Sequence, residues 1–164
     1  MNCPIEIYQL VLSYADFLSQ IRLRCVCKTF YERLEIHDFF DVDTKYLGLL
    51  SDKILRSYPF IIRLYANYNE KITNVNHLTK LEVLDASGFY CGISSHGISR
   101  LSLKELYVDG NPKITDLNHM TRLEILNVSR NSSINNMSIQ KLNLMELIAA
   151  NNENITNVNH MNKL

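Results

Sequence analysis

A frame of about twenty residues returns along the C-terminal part of this chain, and so short a period leaves few folds open. From Leu103 the sequence reads LKELYVDGNPKITDLNHMTR, then LEILNVSRNSSINNMSIQKLN, then LMELIAANNENITNVNHMNK. Each copy opens with L-x-x-L-x-[VA]-x-x-N, passes a polar turn, reaches an Ile and ends in a looser tail. Starts fall at Ile61, Leu81, Leu103, Leu123 and Leu144, with a sixth at Leu164; the spacings are 20, 22, 20, 21 and 20 residues. Such a unit accommodates a strand, a tight turn and an extended or 3₁₀ return path, and excludes long helices.

Side chains alternate along a strand. Leu64/Ala66, Leu84/Ala86, Leu106/Val108, Leu126/Val128 and Leu147/Ala149 should therefore point inward, with Ile72, Ile114 and Ile155 filling the core past the turn. Asn69, Asn111, Asn131 and Asn152 form one column. Their amides are expected to satisfy turn backbone that has left the sheet, where an unpaired buried group costs about 1–3 kcal/mol. The second repeat departs, with Phe89 in that column and an irregular turn, Ser87-Gly88-Phe89-Tyr90-Cys91-Gly92.

The outward positions give a concave face bearing Arg63, Tyr65, Asp85, Glu105, Tyr107, Asp109, Asn127 and Glu146. Four acids oppose one arginine, and two tyrosines sit among them. That face suits a protein or peptide partner of basic character; a merely solvated face is the alternative. The repeats also alternate. Those starting at Ile61, Leu103 and Leu144 share N-x-x-I-T-[ND]-[VL]-N-H-[LM]-[TN]-[KR], while those at Leu81 and Leu123 share I-x4-I-x-x-L-x-L. The true unit is thus a pair of about 41 residues.

Residues 1–60 hold one asparagine and residues 61–164 hold seventeen, so two regions built by different rules meet near residue 60. Residues 1–40 read as three short helices: Pro4 opens the first, Asp16 caps the second, and Leu23, Val26, Phe30 and Leu34 form a helical stripe. In the joint, 41–60, Asp41-Val42-Asp43-Thr44 is a polar break and Tyr46–Leu50 a degenerate first strand. Ser51-Asp52 then cap a short helix stopped by Pro59.

A formal net charge of zero gives no global field for nucleic acid, and no apolar run approaches a membrane helix. Cys3, Cys25, Cys27 and Cys91 have no C-x-x-C spacing, which points to free thiols in a reducing compartment and to an intracellular, cytoplasmic location. His77, His119 and His160 recur with the repeat, 42 and 41 residues apart. Two strands separate each pair, about 10 Å, too far to share one zinc ion. No catalytic constellation, metal site or cofactor motif emerges.

Pro4-Ile5-Glu6-Ile7, Leu18, Ile21-Arg22-Leu23-Arg24-Cys25-Val26-Cys27-Lys28 and Phe30-Tyr31 resemble an F-box over about residues 2–40, with Cys3 where that family usually has Leu. The repeats resemble short leucine-rich repeats, and the combination resembles the F-box/leucine-rich-repeat proteins encoded by giant DNA viruses. These resemblances imply an α+β fold: a three-helix F-box-like module, 1–40, a linker and N-terminal cap, 41–60, and a solenoid with parallel strands on its concave face, 61–164, five repeats with a sixth cut at its first residue. They imply a non-catalytic substrate receptor of a cullin–RING ubiquitin ligase, in the host cytoplasm if viral. Pro4, Ile5, Ile7, Leu10 and Leu18 would dock a Skp-type adaptor; alternatively these residues simply pack on the first repeats. A pure protein-binding module, decoy or truncated paralogue, is the second reading. The stop at Leu164 without a polar cap suggests a shortened chain.

Overall fold

The computed structural model describes residues 4–39, 42, 44–130 and 133–164. Cys3, Asp41, Asp43 and Asn131 lie outside the described residues. Three helices lead: α1 Ile5–Ser13, α2 Phe17–Arg24 and α3 Lys28–Arg33. Pro4 precedes α1 with its carbonyl accepting from the Ile7 amide at 3.1 Å. Asp16 caps α2, accepting from the Ser19 hydroxyl at 2.7 Å and from the Ser19 amide at 3.1 Å, and these bonds hold its carboxyl below the usual value.

The expected stripe Leu23–Val26–Phe30–Leu34 is not one helix. The chain bends between α2 and α3, leaving Val26 67 % exposed. The bend lets α3 fold back, so that the Phe30 ring meets Tyr8 of α1 at 4.5 Å. Tertiary packing outweighs the local periodicity here. Cys25 and Cys27 flank the bend, both exposed.

Among the described residues six short strands follow: β1 Asp38–Phe39, β2 Arg63–Tyr65, β3 Val83–Asp85, β4 Glu105–Tyr107, β5 Ile125–Asn127 and β6 Glu146–Ile148. They pair in parallel, in sequence order, so each turn of chain lays one strand beside the last. The register aligns Phe39, Leu64, Leu84, Leu106, Leu126 and Leu147 in a single inward row. All but Leu147, which is half-buried, are sealed from solvent.

The first strand is not Tyr46–Leu50, as the sequence pattern suggested. Residues Thr44–Leu47 form a short helix, α4, and the strand comes earlier, from Asp38–Phe39. Phe39 explains the difference: wholly buried, its ring sits 4.9 Å from Phe17 and 5.0 Å from Tyr58. A large aromatic closing the helix–sheet junction outweighs the leucines of 47–50. After α4 comes α5, Asp52–Leu55.

Helices and sheet share one core, which runs from Leu12, Leu34 and Ile36 through Phe39 and Leu55 into the leucine row. The Gln9 side chain ties α1 to the approach of β1. Its amide donates to the Glu35 carbonyl and accepts from the Glu35 amide, both at 2.8 Å.

Candidate protein-binding surfaces

Returning from each strand, the backbone leaves the sheet and needs new partners. Asn69 donates to the carbonyls of Leu47 and Leu50 at 2.7 and 3.2 Å and accepts from the amides of Lys71 and Ile72. Asn111 donates to Ala86 and Ile93 at 2.8 and 3.1 Å and accepts from Lys113 at 2.9 Å. Asn152 donates to Val128 and Ile134, both at 3.2 Å, and accepts from Asn154. All three are buried. Each reaches back to the preceding turn of chain, so the column fastens repeat to repeat.

In the second repeat this position is held by Cys91, not Phe89. Cys91 is wholly buried and its thiol contacts the Ala66 carbonyl at 3.5 Å. Burial pushes that thiol up to about 11, so it stays protonated at neutral pH. The longer spacing of this repeat is absorbed in the turn, which pushes Phe89 and Tyr90 into solvent.

A second ladder escaped the sequence reading. Asp52, Ser95 and Asn136 occupy equivalent places, and each side chain accepts from the backbone amide of Thr73, Thr115 or Thr156 at 2.8–2.9 Å. Asp52 thus serves the next turn of chain, while Ser51 makes no side-chain cap to α5. Burial raises the Asp52 pKa, but the bonds from Thr73 and Asn74 outweigh it and leave the carboxyl below its usual value. Asn76 and Asn118 clamp the adjacent 3₁₀ segments, Ser95–Ile98 and Asn136–Ile139. Asn76 donates to His96 and accepts from Arg100; Asn118 donates to Met137 and accepts from Lys141. Two of the recurring histidines belong to the same scaffold, with ring nitrogens of His119 and His160 3.2 Å from the carbonyls of Ile98 and Ile139. Among the described residues no cluster of His, Cys, Asp and Glu could hold a metal ion.

The sheet's outer side carries two rows. Arg63, Val83, Glu105, Ile125 and Glu146 lie in register, and beside them Tyr65, Asp85, Tyr107, Asn127 and Ile148. The charge balance differs from a count of strand positions. Arg63 pairs with Asp38 at 3.1 Å, and Asp109 is bound by the Arg130 guanidinium. Arg130 sits at a positive φ of 54° in the turn after β5, outside the strand pattern. Asp85, Glu105 and Glu146 carry the remaining negative charge of the strands. Glu105 accepts from the Tyr107 hydroxyl at 3.0 Å. Burial raises the Asp85 pKa above its usual value, with bonds from Ser87 opposing and Asp109 adding to it.

The five residues singled out for docking divide. Pro4 is exposed at the helix start, Ile5 packs against the core, and Leu18 on α2 is half-buried. Ile7 and Leu10 are 48 % and 55 % exposed, and they continue along one helix face into Val11 and Tyr14, at 56 % and 85 %. Val11 and Tyr14 were not singled out from sequence. The sequence does carry a signal for them: Ile7, Leu10, Val11 and Tyr14 fall at i, i+3, i+4 and i+7, a second apolar stripe beside that of Ile5, Tyr8 and Leu12.

The fold is thus a small helical module, with an apolar ridge turned to solvent, joined through a common core to a parallel sheet built by repetition. The F-box domain model matches residues 1–41, the stretch that holds α1, α2, α3 and β1. No curated protein matches the chain.

Proposed function

We propose that this protein is a non-catalytic substrate receptor of an SCF-type ubiquitin ligase. The F-box domain at residues 1–41 carries this reading. Its exposed ridge, Ile7–Leu10–Val11–Tyr14, is the surface offered to a Skp-type adaptor and through it to the cullin. The repeats, read as a leucine-rich-repeat solenoid over 61–164 with residues 41–60 as its cap, hold an unidentified target protein of basic character on the outer sheet face. Arg63, Tyr65, Asp85, Glu105, Tyr107, Asp109, Asn127 and Glu146 are its contact residues, and the cytoplasm is its place of work. The contribution to catalysis is proximity: a target lysine is held near the ligase's charged E2.

Retention of a purified Skp-type adaptor by the full chain tests the first half. Ile7→Asp with Leu10→Asp places two charges on exposed positions and should abolish retention while far-UV circular dichroism stays unchanged. Absence of retention by the unaltered chain, or retention that survives the double substitution, removes the ligase role and leaves a protein-binding module.

A further inference from the structure

The turn after β3 lies in the longest repeat, 22 residues from Leu81 to Leu103, and it changes the surface beside Asp85. Phe89 and Tyr90 project from it, 65 % and 68 % exposed, their rings edge to face at 5.4 Å. Gly88 adopts φ +102°, and a Cβ there would lie 2.6 Å from the Tyr68 ring. Tyr68, at φ 52° and 63 % exposed, therefore lies flat against this glycine. Its amide donates to the Ser87 carbonyl at 2.8 Å, which holds the two turns together. Three aromatic side chains thus gather in solvent on adjoining turns, built by backbone that only glycine tolerates at this contact. An exposed apolar patch of this kind is a candidate interaction surface.

Immediately inward, Asp85 stands in register between Tyr65 and Tyr107 on the neighbouring strands, each about 4.8 Å away in the sheet. Neighbouring hydrogen bonds steady the rings: Tyr107 donates to Glu105, and the Tyr65 hydroxyl accepts from Asn67 at 2.5 Å. A carboxylate flanked by two aromatic rings complements a guanidinium or ammonium group. Asp85 lies four residues before Phe89 on the same chain, so the two features are at most about 13 Å apart.

Resting on the reading of the outer sheet face as the target-binding surface, we propose that the target is an extended protein segment of mixed character. It places a basic side chain on the Tyr65–Asp85–Tyr107 row and, about two to four residues along, a large apolar side chain against Tyr68, Phe89 and Tyr90. The aromatic turn selects among basic segments, a discrimination that charge alone does not supply.

A phage-displayed library of random twelve-residue peptides, selected on the full chain, tests this. The unaltered protein should enrich peptides with Arg or Lys and a large apolar residue at that spacing. Phe89→Ser with Tyr90→Ser, both at exposed positions, should lose the apolar preference and keep the basic one. For a synthetic peptide bearing the enriched pair, fluorescence polarisation should show about tenfold weaker binding to that variant. Basic enrichment with no apolar companion, or an apolar preference that survives the double substitution, overturns this proposal and leaves the target-face reading standing. Peptides without basic enrichment overturn both.

Discussion

Asn111 shows what one side chain contributes here. It has no exposed surface, donates to two carbonyls of the preceding turn and accepts from Lys113. Asn111→Ala leaves those backbone groups buried without partners, and urea denaturation should report a loss of about 2–4 kcal/mol. Asp85 works in the opposite direction. Burial, its largest influence, raises its folded pKa above the ordinary 3.8. The native state then holds the proton more tightly than the unfolded chain, so the carboxyl destabilises as pH climbs from 3.8 through the raised folded value. Above that window the cost is fully present. Asp85→Asn should therefore be more stable than the parent at pH 7 and no more stable below the window, as urea titrations at both pH values would show. The same substitution should weaken a basic ligand. Gained stability together with lost binding would mark Asp85 as a residue kept for recognition.

At the scale of elements, the paired repeat has a structural meaning. Repeats beginning at Leu81 and Leu123 return through 3₁₀ segments, whereas those beginning at Ile61 and Leu103 return through turns that supply the clamping amides of Asn76 and Asn118. The two kinds are complementary, so neither would stack as well on its own kind. Close approach accompanies this. At Gly97, inside the first 3₁₀ segment, a Cβ would stand 2.1 Å from the Thr73 carbonyl oxygen. Gly97→Ala must push two strands' return paths apart and should cost about 3 kcal/mol. A thermal melt lying within a degree of the parent's would show that the backbone yields there easily. The helices tell a different story. The α2–α3 bend and the burial of Phe39 answer to partners distant in sequence, so local period alone misplaced both the third helix and the first strand.

For the whole molecule, continuity of the core is the governing fact. Leu12, Leu34 and Ile36 of the helical end touch the same apolar cluster as the strands, and Phe39 stands at the crossing. Phe39→Ala should cost about 3–5 kcal/mol. Helix content and tyrosine fluorescence should be lost together in urea, in the variant as in the parent; two separated transitions would show that the helical end and the sheet fold independently. A shared core also means that the ridge on α1 and the outer face of the sheet keep a fixed relation.

The repeat period, the inward leucines, the helix opened by Pro4 and the cap at Asp16 were written in the sequence, because each depends on neighbours within a few residues. So was the F-box resemblance, carried by a short contiguous pattern. Tertiary structure alone decided the rest. It chose Cys91 over Phe89 for the buried column, because only the folded turn shows where the extra residues go. It paired Arg130 with Asp109 and Arg63 with Asp38, removing charges that a count of strand positions leaves open. It drew the first strand from Asp38–Phe39, since the energy of burying one aromatic ring among Phe17, Tyr58 and the leucine row exists only once those distant residues have met.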